Sequence, residues 1–241
     1  MGATSPSVGL VFLGRRYDTI GPLARTLDVL EQAWRVIGRD NGDTLPFRRL
    51  VLLDNLAGVD VQPAVAAGYE RALAALSLPH VPFALPASPT SLRLAALAEI
   101  ARELIEDLGP DRQARAELIS PELTFILNAL EGYAPDPDLL AQTRAALIDA
   151  VGDDGVLVMP TAPQTAFAHG SAPPASQADF TGLANIAGLP ALACPAGRSD
   201  DGLPVGVQLV GPAGSESRLI ALARTLEPAL GGAVLPEGVA P

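Results

Sequence analysis

Two apolar runs with a helix between them constrain the fold of this chain more than any other feature. Residues 50–53 are continuously apolar, which is typical of a strand that is buried on both faces. Pro63 opens a segment whose apolar residues recur at helical spacing, and residues 81–85 form a second strand-like run. This order and spacing predict a βαβ unit, in which the two strands run parallel.

The rest of the chain continues the alternation of helices and strands. Further helices are predicted over residues 22–38, 91–108 and 138–151 and after Ser215, and further strands over residues 8–13, 156–159, 192–195 and 205–210. Residues 163–178 are rich in Pro, Ala, Ser and Gly and predict a loop. We therefore expect one α/β domain over residues 1–241, with a mixed, largely parallel sheet flanked by helices and a loose tail over 229–241.

The chain contains no lysine, since all 16 of its Lys and Arg residues are arginine. This excludes a P-loop lysine, a Schiff-base lysine and a lysine general base within these 241 residues. Asp and Glu number 27, so the net charge is −11. Nucleic acids and anionic membranes are unfavourable partners for such a chain, because binding phosphate requires clustered cations.

The histidine and cysteine content is too low for a metal site of three soft ligands, and no cofactor is expected. The single cysteine, Cys194, lies in an apolar run, which favours a buried packing role over a catalytic one with His169 and Asn185. No apolar stretch approaches the roughly 18 residues of a membrane span, and the N-terminus lacks the basic start of a signal peptide. A cytoplasmic location is the expectation.

The most informative segment begins at Asp179 and reads DFTGLANIAGLPALACPAG, with GLPVGVQLVG following from Gly202. It resembles the C-terminal part of the amidase signature family, whose pattern has F-T, N-[LI]-A-G-L-P-A, P-x-G and G-L-P-x-G-[VL]-Q. Three more segments resemble the family in the same order: YDTIGPLART from Tyr17, VQPAV from Val61 and VLVMPTA from Val156. The resemblance runs from about residue 8 to residue 227 and implies the amidase signature fold.

The resemblance also implies a reaction, the hydrolysis of a carboxamide by a Ser–Ser–Lys triad. In the family pattern the lysine and a G-G-S-S-G-G stretch precede the D-T-I-G-P segment. Here only 17 residues stand before Asp18, and none of them matches the nucleophile, the bridging serine or the base. We therefore expect the N-terminally truncated, C-terminal portion of an amidase, with no catalytic residue of its own and no activity alone.

The matched motifs supply residues that we expect to line a substrate pocket. Pro160 and Thr161 follow a strand, where open α/β sheets place ligands, and Gly188 allows a positive φ or a close backbone approach at a helix-to-strand crossing. The candidates for the pocket wall are Asp18, Thr19, Pro160, Thr161, Thr181, Asn185 and Gly188.

Three interpretations of function stay open. The chain could be part of an amidohydrolase that acts on a small amide once an N-terminal half completes it. It could instead be a non-catalytic, pseudoenzyme-like domain for binding or assembly, or a relic. The third is the amidase-type component of a tRNA-dependent amidotransferase, whose pattern places an Asp three residues before the Thr of D-x-Y-T. That position is Ala178 here, and Asp179 is offset by one, so this interpretation ranks below a general amidase.

Partners follow from the same resemblance. Loss of an N-terminal half exposes apolar surface and sheet edges, which favours a complementing chain or a homo-oligomer.

Overall fold

A mixed sheet of five strands organises the computed structural model, which describes residues 12–38 and 45–231, with side chains at all of these positions except 110–113. The strands are β1 (Arg49–Leu53), β2 (His80–Phe83), β3 (Gly155–Pro160), β4 (Ala191–Arg198) and β5 (Pro204–Val210). They lie in the order β2-β1-β3-β5-β4, with β1 parallel to β2 and β3, and β5 antiparallel to β3 and β4. Four of the five strands run in one direction, so the predicted βαβ unit and the largely parallel sheet are confirmed.

Seven α-helices accompany the sheet in the described residues. They are α1 (Leu27–Ile37), α2 (Pro63–Ala75), α3 (Pro89–Ala114), α4 (Pro121–Leu130), α5 (Pro137–Val151), α6 (Thr181–Ala187) and α7 (Glu216–Leu230). None of them is both long enough and apolar enough to cross a membrane.

The helices cover the sheet from two sides, because alternate strand residues point to opposite faces. On one side, α2 and α7 pack on a face that includes Leu50, Val158 and Leu209. On the other side, α3, α5 and α6 pack on a face that includes Val51 and Leu157. The two layers bury the central strands β1 and β3 between them, which accounts for the continuous apolar run of β1 and for the complete burial of β3.

The first helix begins later than its apolar pattern predicts. Thr26 accepts a hydrogen bond from the Val29 N–H at 3.3 Å and caps α1, which therefore starts at Leu27 instead of residue 22. Leu23 is fully exposed, so it does not belong to the buried helix face. The residues from Pro22 to Thr26 form an irregular segment that leads into the helix.

Three further boundaries differ from the sequence pattern. The helix predicted over 91–108 continues to Ala114, with a backbone break at Gly109 (φ 5°, ψ −100°). Phe12 and Leu13 are not in a strand, and residues 8–11 of that predicted strand lie outside the described residues. The last helix continues through Pro228 to Leu230, two residues into the predicted tail, and residues 232–241 lie outside the described part.

Candidate substrate pocket

A cavity of about 230 Å³ lies where four parts of the fold meet. Its wall is formed by the loop over residues 16–22, the inner face of α1, the turn from α6 into β4 and the start of α7. Apolar side chains line most of it, among them Leu30, Leu189 and Ile220, and the polar groups include Arg16, Asp18, Asn185 and Glu216. An apolar hollow with a few polar groups is the usual form of a small-molecule site.

The loop beside this cavity is held by two polar side chains that the sequence pattern singles out. One carboxylate oxygen of Asp18 accepts hydrogen bonds from the backbone N–H groups of Leu13 at 2.6 Å and Gly14 at 3.3 Å. The Asn185 Nδ2 group donates to the Tyr17 carbonyl at 2.7 Å, which ties α6 to the loop. These contacts fix the backbone of the loop, so both residues help to shape the cavity.

Tyr17 anchors the same loop to α3. Its hydroxyl donates to the Glu99 carboxylate, and both side chains are buried, at 7 % and 8 % exposure. The Arg16 guanidinium lies 3.9 Å from the same carboxylate. Burial, followed by the hydrogen bond to Glu99, raises the pKa of the Tyr17 hydroxyl, so this group stays protonated and acts as a hydrogen-bond donor.

Gly188 makes the turn from α6 into β4 possible. It has φ 66° and ψ 36°, a left-handed conformation that favours glycine, and its N–H caps the end of the helix. A Cβ atom at this position would lie 2.8 Å from the Arg144 guanidinium. The predicted positive φ is confirmed, and the turn directs residues 189–192 along the cavity wall.

The structure brings Asp18, Thr19, Asn185 and Gly188 together around the cavity. Pro160 and Thr161 lie at the end of β3 and do not line it, and the Thr161 N–H donates to the Gly206 carbonyl at 2.9 Å. Thr181 begins α6, with its hydroxyl 3.4 Å from the Ala178 carbonyl, and is also outside the cavity wall. Contact of any of these residues with a substrate stays a prediction.

A buried ion pair that the sequence analysis missed holds the start of α6. The Asp179 side chain is only 1 % exposed, and its two oxygens accept hydrogen bonds at 2.7 Å from Arg93 Nε and from the Thr90 hydroxyl. Thr90 and Arg93 lie one turn apart on α3. The sequence does contain a signal for this pair, because Arg93 lies in an otherwise apolar stretch of helix. A cation in such surroundings requires a partner of opposite charge.

Two residues of α1 and α7 also belong to the cavity without having been predicted there. Trp34 is 6 % exposed, and its Nε1–H finds no acceptor among the described residues. Glu216 is the first residue of α7 and also lines the cavity. Trp34 lies on a helix outside the matched motifs, so motif reading did not find it, whereas Glu216 closely follows the matched motif that ends at Gly211.

Cys194 has the packing role that its apolar surroundings predict. It is 8 % exposed, and burial is the main cause that raises the pKa of its thiol to about 12. It packs in the α2/α7 core, whereas His169 is exposed in the loop after β3. In the described residues no group of three or more His, Cys, Asp or Glu side chains could hold a metal ion.

Comparison with known proteins places these features in a family. A family model described as Amidase matches residues 135–220. The A subunit of glutamyl-tRNA(Gln) amidotransferase from Xanthobacter autotrophicus is 36 % identical over 186 residues, which are 65 % of this chain and 37 % of that protein. The protein of the same name from Thermosynechococcus vestitus is 31 % identical, and the match covers 91 % of this chain and 57 % of that protein. This chain belongs to the amidase signature family.

Solved structures show the same fold for this amidase-signature chain. The crystal structure of the glutamyl-tRNA(Gln) amidotransferase A subunit from Thermotoga maritima has a TM-score of 0.77 at 22 % identity and covers 99 % of the chain. A second structure, from a vestigial protein complex related to the origins of an s-triazine catabolic enzyme, has a TM-score of 0.81 at 21 % identity and 98 % coverage. The chain spans only 60 % and 58 % of these two proteins, much as it spans 57 % of the relative from Thermosynechococcus vestitus.

Proposed function

We propose that this chain is the C-terminal part of an amide-hydrolysing protein and that an N-terminal polypeptide, in the same molecule or another, supplies the Ser–Ser–Lys triad. The absence of lysine from these 241 residues carries the proposal, because the triad of the family requires a lysine base. The lengths of the relatives support it. Proteins that match nearly all of this chain are longer than it, and the chain covers only 57 % to 60 % of them. Under this proposal the chain alone is catalytically incomplete.

The cavity would then supply part of the substrate pocket. Its apolar wall suits the hydrocarbon portion of a small amide, while Asp18, Thr19, Asn185 and Gly188 shape the polar side. Pro160, Thr161 and Thr181 would contribute to the pocket from outside this cavity, where the completing polypeptide meets the end of β3. The single cysteine supports a reducing compartment, so we place this function in the cytoplasm.

The experiment compares the purified chain with the chain supplied with a completing polypeptide. The completing polypeptide is the part of the Thermosynechococcus vestitus relative that this chain does not match, since the chain covers 57 % of that protein. With a chromogenic aryl amide, the chain alone should release no product, and the mixture should release product at a rate proportional to the complex formed. Turnover by the chain alone that a single substitution in it abolishes would contradict the proposal.

A second candidate function is that of the A subunit of a glutamyl-tRNA(Gln) amidotransferase, because the curated relatives described above carry that name. Asp179 is the acidic residue nearest to the expected position, but both of its oxygens are already bonded to Arg93 and Thr90. This arrangement leaves the carboxylate poorly placed to bind a glutamine amide. Hydrolysis of glutamine by the completed protein, at a rate above that for the aryl amide, would favour this candidate.

The third candidate is a non-catalytic domain for binding or assembly, or a relic. One structural neighbour comes from a complex described as vestigial, which makes such a role reasonable for this fold. The same mixing experiment separates it from the first proposal: a complex that forms with the completing polypeptide but turns over neither amide would support the non-catalytic role.

A further inference from the structure

Arg93 presents two nitrogen groups that the fold does not use. Its Nε–H donates to Asp179 at 2.7 Å, which joins α3 to the start of α6. The Nη1 and Nη2 groups have no hydrogen bond or ion pair with any residue that the structure describes. Neither nitrogen is fully buried, so both reach solvent although the side chain is only 17 % exposed. The guanidinium is therefore held at one edge and open at the other.

Asp179 holds this guanidinium in one orientation. Both of its oxygens are occupied, since one accepts from Arg93 and the other accepts from the Thr90 hydroxyl at 2.7 Å. An arginine side chain that is free in solvent loses rotamer freedom when it binds a ligand. Because Arg93 is already fixed by a buried partner, it loses less freedom on binding, and its open edge is preorganised for an anion.

The cluster lies toward the edge of the sheet where open α/β folds bind ligands. β1, β2 and β3 run in parallel, so their carboxyl ends share one edge. α3 begins at Pro89, shortly after β2 ends at Phe83, which places Thr90 and Arg93 near that edge. α6 leads to the amino end of β4, which runs parallel to β3, so Asp179 at the start of α6 lies toward the same edge. Ligands of such sheets bind outside the carboxyl ends of the strands.

The same edge carries the part of the proposed substrate pocket that lies outside the cavity. Pro160 ends β3, and the Thr161 hydroxyl just beyond it is buried without a partner among the described residues. Thr181 follows Asp179 by two positions and begins α6. The bond from Arg93 to Asp179 therefore places a cation at this part of the pocket.

The charge of the cluster selects the kind of anion. Arg93 and Asp179 together carry no net charge, and the whole chain carries −11. A dianion such as phosphate is repelled by the buried carboxylate and by the chain. A single carboxylate has two oxygens in one plane, which match the two Nη groups of a guanidinium. A monoanionic carboxylate is therefore the ligand that suits this site best.

We propose that Arg93 is a specificity-determining residue that binds the carboxylate of an acidic amide substrate. The substrate class is then a monoamide of a dicarboxylic acid, whose free carboxylate lies at Arg93 and whose amide faces the catalytic groups of the completing polypeptide. This inference rests on the proposed function and names the substrate class for it. Arg93 takes no part in bond cleavage, because it orients the substrate and favours acids over neutral amides.

The first test measures binding to the full chain, which the proposed function leaves without activity. The probes are malonamate, succinamate and glutaramate, which differ in the distance between carboxylate and amide, and each is compared with its neutral diamide. NMR of the ¹⁵N-labelled chain follows the Arg93 Nε–H and the backbone amide of Asp179. At least one acid should shift both signals saturably and bind at least about tenfold more tightly than its diamide.

Arg93→Lys separates recognition of the carboxylate from the stability of the ion pair. Lysine keeps a cation beside Asp179 but lacks the planar fork of the guanidinium. The variant should remain folded by circular dichroism, and its preference for the acid should fall to within about twofold of the diamide, measured at the Asp179 amide. Arg102→Lys is the matched control on the same helix and should keep the full preference, because its ion pair with Glu106 is more than half exposed.

Several results would overturn the inference. They are equal binding of every acid and its diamide, a preference that survives in Arg93→Lys, and binding of inorganic phosphate as tight as that of the best acid. The source of the carboxylate is tested by adding the unmatched part of the Thermosynechococcus vestitus relative. Displacement of the bound acid by that polypeptide would assign Arg93 to one of its acidic side chains and would also overturn the inference.

Turnover separates this inference from the proposed function. The completed protein is given the 4-nitroanilide of the acid that binds best and that of the matching monocarboxylic acid, which lacks only the second carboxylate. A preference for the first of at least about tenfold in kcat/KM, lost in Arg93→Lys, would support both. Turnover without this preference would support the function and contradict the inference. Acid-selective binding without any turnover would leave Arg93 as a carboxylate site and contradict the function.

Discussion

The two faces of the sheet are stabilised in different ways. The face under α2 and α7 is dominated by aliphatic side chains, and the buried Arg218 there donates to the backbone carbonyl of Asp153 at 3.0 Å. The face under α3, α5 and α6 also buries two carboxylates, Asp179 and Glu99, each bonded to side chains. Both carboxylates hold segments next to the cavity. Apolar packing therefore maintains the layers, whereas the buried polar contacts position the pocket.

The largest effect is expected from breaking the buried ion pair. Arg93→Ala leaves the Asp179 carboxylate, 1 % exposed, with Thr90 alone, and should reduce the free energy of unfolding by roughly 3–5 kcal/mol. The measurement is urea denaturation of the purified chain.

Arg102→Ala on the same helix is the control for that experiment. Its ion pair with Glu106 is more than half exposed on both sides, so the loss should be below about 1 kcal/mol. Equal losses of unfolding free energy in the two variants would show that the buried pair does not stabilise the face under α3, α5 and α6. The contrast between the two faces of the sheet would then disappear.

The next prediction tests the packing of the sheet face under α2 and α7. Leu226→Ala truncates a side chain that is 1 % exposed in the core between α7 and the sheet, and should reduce the free energy of unfolding by roughly 2–5 kcal/mol. The measurement is urea denaturation of the purified variant. A loss below about 1 kcal/mol would show that this core does not stabilise the face under α2 and α7.

A smaller effect is expected at the cavity loop itself. Tyr17→Phe removes the donor to Glu99, and the carboxylate is then left with Arg16 at 3.9 Å. The free energy of unfolding should fall by roughly 1–3 kcal/mol. Here the Trp34 emission should change, because both residues line the cavity. Tyr133→Phe, at a half-exposed tyrosine, is the control and should change neither quantity.

The sequence predicted most of the sheet because periodicity and apolar runs depend on local burial. The βαβ unit, the strands β4 and β5 and the turn at Gly188 were all predicted. Helix starts were less accurate, since the side-chain cap of Thr26 outweighs the apolar spacing that begins at Leu23. A left-handed turn after β1, in which Asn55, Leu56 and Ala57 all have φ between 46° and 54°, had no sequence signal.

The cavity was predicted only where the family motifs supply its wall. Asp18 and Asn185 lie within matched motifs, and the structure brings them together from positions 167 residues apart. Arg93, Glu99 and Trp34 lie on helices with no matched motif, so their contacts depend on how those helices pack. Long-range pairing of single polar residues is a property of the packed fold and is not encoded in local spacing.

The smallest effect at pH 7 concerns the Cys194 thiol on the face under α2 and α7. Burial raises the pKa of Cys194 to about 12 from an ordinary value of 9.0, so the folded chain retains a proton that the unfolded chain releases. The resulting stability is present below about pH 9 and is lost as the pH rises towards 12, by at most about 1.4 kcal/mol per pH unit.

Cys194→Ala should remove this part of the alkaline sensitivity and change the free energy of unfolding at pH 7 by about 1 kcal/mol. In the parent chain, iodoacetamide at pH 8 should label Cys194 roughly a thousandfold more slowly in buffer than in urea, because the raised pKa leaves that much less thiolate. Rapid labelling of the native chain would show that the face under α2 and α7 opens in the folded state.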